Sequence, residues 1–170
     1  LYFIKIVMKN FRYIAIICVI ILSLSPLAFC AGCFFGNLFK EADTYMVEMR
    51  DGVNLATDVY KPYDKDTFPV ILYRTPYNKD KDMGPLYLRD YGIGVVVQDS
   101  RGCHHSEGEY AAFGTDGADA YDTVEWLKTQ SWFDGNYATC GGSARGITQY
   151  MQVGYLNDIR AQYICVATPD

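Results

Sequence analysis

Cys140-Gly141-Gly142-Ser143-Ala144-Arg145-Gly146 runs between a short strand candidate, Tyr137 to Cys140, and a helical face marked by Ile147, Tyr150, Met151 and Gly154. Glycines around a serine at a strand-to-helix junction suit a sharp turn that leaves little room for neighbouring side chains. In such a turn Ser143 projects above the sheet, with the Ala144 N–H and the start of the helix facing any negative charge that develops there. The common form of this turn is Gly-x-Ser-x-Gly; here Arg145 takes the last glycine place and Gly146 follows. Gly-Gly-Ser alone also describes a flexible turn, so the reading depends on the flanking elements.

Upstream, Ala120, Val124 and Leu127 recur at helical spacing, with Asp116 and Asp119 in the first turn and Lys128 near the end, complementing the helix dipole. Pro69 to Tyr73 and Gly92 to Val97 are short apolar runs of the kind buried on both faces of a sheet. Tyr45 to Arg50 and Val53 to Tyr60 flank Asp51-Gly52, a two-residue hairpin signal. Downstream, Tyr163 to Ala167 predicts one more buried strand. A hairpin followed by alternating strands and helices predicts an α/β domain with a mostly parallel sheet over residues 41–170.

The first 40 residues form a different regime. Lys9 and Arg12, the apolar run Ile14 to Leu24, and small residues near Cys30, Ala31 and Gly32 follow the three-part order of a secretory signal over residues 1–33. Met8 is the natural initiator on this reading, with Leu1 to Val7 an upstream misreading. An uncleaved membrane anchor over Ile14 to Phe29 is the alternative. Ala31-Gly32-Cys33 resembles the end of a bacterial lipoprotein box, although Cys30 stands where an aliphatic residue is usual. The domain is therefore expected to be exported: secreted, periplasmic or membrane-anchored. Residues 33–170 hold 12 basic and 20 acidic side chains, a formal charge of −8, which argues against a nucleic-acid partner. Cys103, Cys140 and Cys165, with or without Cys33, are too few and too scattered for a disulfide scaffold.

Several motifs in order resemble one family. Met49-Arg50-Asp51-Gly52-Val53-Asn54-Leu55-Ala56, Arg74-Thr75-Pro76-Tyr77-Asn78-Lys79, and Gln98-Asp99-Ser100-Arg101-Gly102 followed by Ser106-Glu107-Gly108-Glu109 look like successive segments of CocE/NonD hydrolases of the X-Pro dipeptidyl-peptidase type. Asp116, Asp119, Asp122, Trp126, Gln130, Trp132, Gly135 and Asn136 fall at the spacings of the helix and turn before that family's nucleophile. The resemblance spans nearly all of the chain after residue 48. It implies an α/β-hydrolase fold: a mostly parallel sheet with an N-terminal antiparallel hairpin, incomplete at the C-terminus.

It also implies roles. Ser143 corresponds to the acyl-accepting nucleophile, and Tyr77 to the tyrosine whose hydroxyl joins the backbone N–H of Ala144 in an oxyanion hole. A phenol suits that place, because it stays protonated near neutral pH and donates one strong hydrogen bond. The family usually has an aromatic residue where this chain has Ala144, which puts one wall of the acyl pocket in doubt. Arg145 either offers charge to an acidic substrate group or, as the preferred reading, lies at the sheet edge as a surface residue.

His104 and His105 precede Ser143, whereas α/β-hydrolases run Ser, acid, His along the chain, so both are expected to be polar loop positions. Cys103, His104 and His105 as a thiol or metal site is a further reading. Asp158 and Asp170 follow Ser143 too soon to be named as the acid, and Asp99 and Arg101 read as loop scaffolding, paired with each other or with Asp122. The expected enzyme is a serine hydrolase cleaving a small ester or peptide substrate through an acyl-enzyme, without a cofactor. The expectation for this chain is a truncated part lacking the acid and the histidine, with negligible turnover. A non-catalytic exported lipoprotein or decayed hydrolase remnant that binds a ligand or partner is the alternative.

Overall fold

The computed structural model of the chain describes residues 42–168. The signal or anchor over residues 1–33, the lipid site at Cys33, and Asp170 lie outside the described residues. Among the described residues no helix is long and apolar enough to cross a membrane.

Strands β1 (Asp43–Glu48) and β2 (Asn54–Tyr60) form the expected antiparallel hairpin, in register from Asp43 opposite Val59 to Glu48 opposite Asn54. The turn differs from the two-residue one that Asp51-Gly52 predicts. Met49 N donates to Val53 O at 2.8 Å, so three residues, Arg50 to Gly52, make the loop. A two-residue type I′ turn needs positive φ at both central positions; only Gly52 has it, at 81°. The Asp51 carboxylate instead accepts from Val53 N at 3.3 Å.

β3 (Phe68–Thr75) and β4 (Gly94–Asp99) pair in parallel, and β2 pairs antiparallel with β4. β5 (Phe133–Gly142) lies parallel to β3, and β6 (Gln162–Cys165) parallel to β5. The strand order is β1-β2-β4-β3-β5-β6. A 3-10 turn (Leu86–Tyr91) links β3 to β4, helix α1 (Asp116–Lys128) links β4 to β5, and helix α2 (Ala144–Gln152) links β5 to β6. β5 begins four residues before the expected Tyr137, because Asp134-Gly135-Asn136, a turn signal in sequence, forms a bulge: Phe68 pairs with Phe133 and Val70 with Tyr137.

The sheet separates two apolar layers by strand alternation. Val59, Val70, Leu72 and Val96 pack with Ala120, Val124 and Leu127 of α1, extended by Trp132 stacked on Phe68 with ring centroids 5.4 Å apart. Tyr60, Tyr73, Val95 and Val97 form the other layer against Leu86 and Leu88. Asp116 and Asp119 do more than complement the helix dipole: they are 4% and 1% exposed and face the guanidinium groups of buried Arg74 and partly buried Arg101. Arg74 Nη1 lies 2.8 Å from Asp116 Oδ1, and Arg101 Nη2 lies 2.6 Å from Asp119 Oδ1. Arg74 also donates to Gln98 Oε1 at 2.8 Å and to the Asp116 carbonyl at 2.7 Å, binding β3, β4 and α1 together.

Two expectations are corrected. β6 is an edge strand among the described residues, with Tyr163 69% and Val166 89% exposed, since a neighbour covers it only on the β5 side. The buried face of α2 is Gly146, Thr148, Gln149 and Gln152 rather than the face of Ile147, Tyr150 and Met151. Of these, Gln149 reaches the turn that precedes the helix, donating toward the Gly141 carbonyl at 3.3 Å, and Gly146 leaves room for the segment after β6.

Candidate active site

β3 and β5 are neighbours whose onward connections run to opposite sides of the sheet, to β4 and to β6. Such a reversal opens a crevice at the carboxyl ends of the two strands. The loop after β3 carries Tyr77, and the turn after β5 carries Ser143.

Ser143 has φ 58° and ψ −131°, a sparsely populated combination for a residue with a Cβ, costing about 1–3 kcal/mol that the surroundings must offset. They do so from three sides. Ser143 N donates toward Cys165 O at 3.1 Å and Val166 O at 3.2 Å, and its carbonyl accepts from Gly146 N at 2.8 Å. The Gln149 side chain accepts from Thr139 Oγ1 at 2.8 Å and donates toward the carbonyls of Gly141, Arg145 and Tyr163 at 3.1–3.3 Å. Gly142 and Gly146 allow close approach: an added Cβ would meet Cys165 Sγ at 2.8 Å in the first case and Ala167 Cβ at 2.5 Å in the second. Ser143 itself is exposed. Ala144 opens α2, so its N–H belongs to the first turn and has no acceptor within the helix.

Tyr77 is 47% exposed, and its Oη lies 3.4 Å from Ser143 Oγ. Its N–H donates to Thr75 Oγ1 at 3.0 Å. Beyond it, Asn78 takes φ 78° and starts a turn in which Lys81 N and Asp82 N donate to its carbonyl. Lys79 N donates to Asp99 Oδ1 at 2.7 Å and Lys79 Nζ to buried Asp58 Oδ1 at 3.0 Å, pinning the loop to the end of β4 and to the middle of β2.

Arg145 is not the surface edge residue expected. Its Nη1 lies 2.7 Å from both carboxylate oxygens of Asp82 and donates to Tyr73 Oη at 2.6 Å, while its guanidinium covers the Tyr77 ring at 5.2 Å. Burial works against the Arg145 cation, but Tyr73 and Asp82 outweigh it and hold its pKa above the ordinary value. Burial, then Asp82, pushes the Tyr73 phenol well above its usual range. Burial likewise raises the Cys140 thiol to about 11. Cys103, Cys140 and Cys165 are free thiols.

His104 and His105 are loop residues that face the Tyr77 loop and make no hydrogen bond to Ser143 among the described residues. His104 Nε2 donates to Pro76 O at 3.0 Å, and His105 Nε2 lies 2.9 Å from Asp80 Oδ2. Among the described residues no three His, Cys, Asp or Glu side chains are grouped to hold a metal. Asp99 is loop scaffolding, but its partners are the Lys79 and His105 backbone N–H groups; Arg101 pairs with Asp119 and Asp51, and Asp122 with Arg50. Asp158 accepts from the Tyr137 hydroxyl and bridges to Lys128, away from Ser143.

Residues 51–168 match the model of the X-Pro dipeptidyl-peptidase (S15) family. The chain belongs to that family. Cocaine esterase of Rhodococcus sp. (strain MB1 Bresler) is 42% identical over 123 residues, covering 68% of this chain and 21% of that protein. An α-amino acid ester hydrolase structure aligns with TM-score 0.62 at 29% identity, covering 73% of this chain and 24% of the other. A CocE/NonD family hydrolase from Staphylococcus aureus aligns with TM-score 0.62 at 27% identity, covering 71% and 26%. The chain thus spans about a fifth of the length of the esterase and about a quarter of these structures. The fold is that of the α/β-hydrolases, with the antiparallel strand pair at its N-terminal side.

Two residues of this candidate site, Gln149 and Asp82, were not singled out from the sequence. Gln149 has a weak signal, an amide six residues after a candidate nucleophile. Asp82 has none, because nothing local marks it as the partner of a residue 63 positions away.

Proposed function

We propose that this chain is part of a serine hydrolase that cleaves an ester or amide bond of a small ester or peptide substrate through an acyl-enzyme. The reading rests on one observation above all: Ser143 sits in a strained backbone conformation at the β5–α2 turn, with Tyr77 Oη 3.4 Å from its hydroxyl. Ser143 Oγ attacks the substrate carbonyl carbon as its proton passes to a general base. The carbonyl oxygen becomes an oxyanion that accepts from the Tyr77 hydroxyl and the Ala144 N–H. Collapse expels the alcohol or amine, which takes up the proton, and water then releases the acyl group by the same steps, restoring the serine. On the order Ser, acid, His, the orienting acid and the general base follow Ser143 in the full-length protein.

Fluorophosphonate labelling of the full-length protein, wild type against Ser143→Ala, tests this. Labelling that disappears in the variant supports an activated serine. Equal labelling, or none in either, favours a non-catalytic remnant instead. Turnover of Xaa-Pro amides against simple esters then separates peptidase from esterase. Export belongs to the same proposal, on the cationic start, the apolar run and Cys33; an N-terminus that retains Met8 in a cytosolic fraction would rule it out.

A further inference from the structure

We propose that Arg145, anchored by Asp82, is a positioning residue that holds Tyr77 in place as an oxyanion donor; this rests on the serine-hydrolase reading. Tyr77 is nearly half exposed, so core packing does not set its ring. What covers the ring is the Arg145 guanidinium, 5.2 Å from its centroid. Cation and aromatic face attract, and the contact constrains both groups. Arg145 is itself fixed: both Asp82 oxygens lie 2.7 Å from Nη1, Tyr73 Oη lies at 2.6 Å, and its guanidinium also covers the Tyr73 ring at 5.5 Å.

The same carboxylate reaches the Tyr77 backbone. Asp82 Oδ2 accepts from Thr75 Oγ1 at 2.6 Å, and that hydroxyl oxygen accepts from Tyr77 N at 3.0 Å. Asp82 Oδ1 accepts from Tyr73 Oη at 3.0 Å. A closed circuit results: Ser143, two residues along to Arg145, across to Asp82, through Thr75 to the Tyr77 backbone, and from Tyr77 Oη back to Ser143 Oγ at 3.4 Å. Nucleophile and donor are thereby referenced to one carboxylate, although they come from turns on different strands. The ion pair also neutralises the guanidinium, so Arg145 offers no unspent charge to an acidic substrate.

A misplaced oxyanion donor weakens the transition state without weakening ground-state binding. The test is a double-mutant cycle in the full-length protein with p-nitrophenyl acetate, using Arg145→Met, Tyr77→Phe and the pair, with thermal unfolding to show that each is folded. Arg145→Met is expected to lower kcat by about 10- to 100-fold with KM within about twofold of wild type. In the Tyr77→Phe background the same substitution is expected to change kcat by less than about twofold, since the group it positions is gone. Asp82→Asn, nearly isosteric, gives a second cycle should Arg145→Met fail to fold, and Arg145→Lys is expected to recover part of the loss. Equal fold-losses in both backgrounds, with Tyr77→Phe itself impaired, overturn the positioning role alone. A Tyr77→Phe enzyme as active as wild type overturns the oxyanion assignment and this inference with it.

Discussion

At the scale of single residues, the backbone of Ser143 sets the terms. Its φ of 58° persists only because Gly142 and Gly146 let β6 and the segment after it come close, and because Gln149 occupies the carbonyls around the turn. Gly146→Ala would place a Cβ 2.5 Å from Ala167 Cβ and 3.1 Å from Ile164 Cγ2. The expected cost is about 1–3 kcal/mol of stability, read by thermal unfolding, and Ala167→Gly in the same background should return part of it. Tyr77→Phe removes only the hydroxyl and is expected to lower kcat by about 10²- to 10³-fold while leaving the unfolding temperature unchanged. A variant whose stability falls along with its activity would mean that the hydroxyl is structural.

At the scale of elements, buried and half-buried ion pairs join the hairpin, the sheet and α1. Asp122 on α1 accepts from the Arg50 backbone N–H at 2.9 Å and from its guanidinium at 2.8 Å, clasping the hairpin turn. Burial works against this carboxylate, yet Arg50 outweighs it and holds its pKa below the ordinary 3.8. A depressed carboxylate stabilises the fold fully above its unfolded pKa and loses that contribution as pH falls through the folded value. Asp122→Asn should therefore cost about 1–2 kcal/mol at pH 7, and the gap from wild type should close as pH drops below 3.8. Urea unfolding across that range checks it; a gap independent of pH would remove Arg50 as the cause. Arg74→Met is more severe, about 3–5 kcal/mol, because it strands Asp116 at 4% exposure. Adding Asp116→Asn should recover part of that loss in the same measurement.

At the scale of the whole molecule, the sheet face opposite the helices bears a cleft of about 850 Å³ between the 83–88 segment and β5–β6, bordered by Leu88, Cys140 and Tyr163. With β6 at the edge and Tyr163 and Val166 exposed, residues 42–168 prepared alone are expected to self-associate. Light scattering would show it, and Tyr163→Lys should reduce it; a monodisperse monomer would show that the edge is tolerated.

Much of this architecture is written in local pattern. The apolar runs of β3 and β4, the helical spacing of Ala120, Val124 and Leu127, and the glycines around Ser143 each report the environment of their own segment. Tyr77 was legible through its loop motif, by resemblance rather than by chemistry. Other features were not legible, because they depend on where distant segments meet. Asp134-Gly135-Asn136 reads as a turn but is absorbed as a bulge, since β3 supplies hydrogen-bond partners on both sides of it. The buried face of α2 is polar rather than apolar, and its Gln149 ties the helix to β5 through Thr139 and to the strained turn through the Gly141 carbonyl. By itself the sequence determined the order of strands and helices and the glycine-lined serine turn, which follow from side-chain period and backbone freedom within a few residues. Only the tertiary structure decided that Arg145 belongs to Asp82 and Tyr77, and that Asp116 and Asp119 belong to Arg74 and Arg101, because a buried charge takes whichever partner the chain path brings within reach.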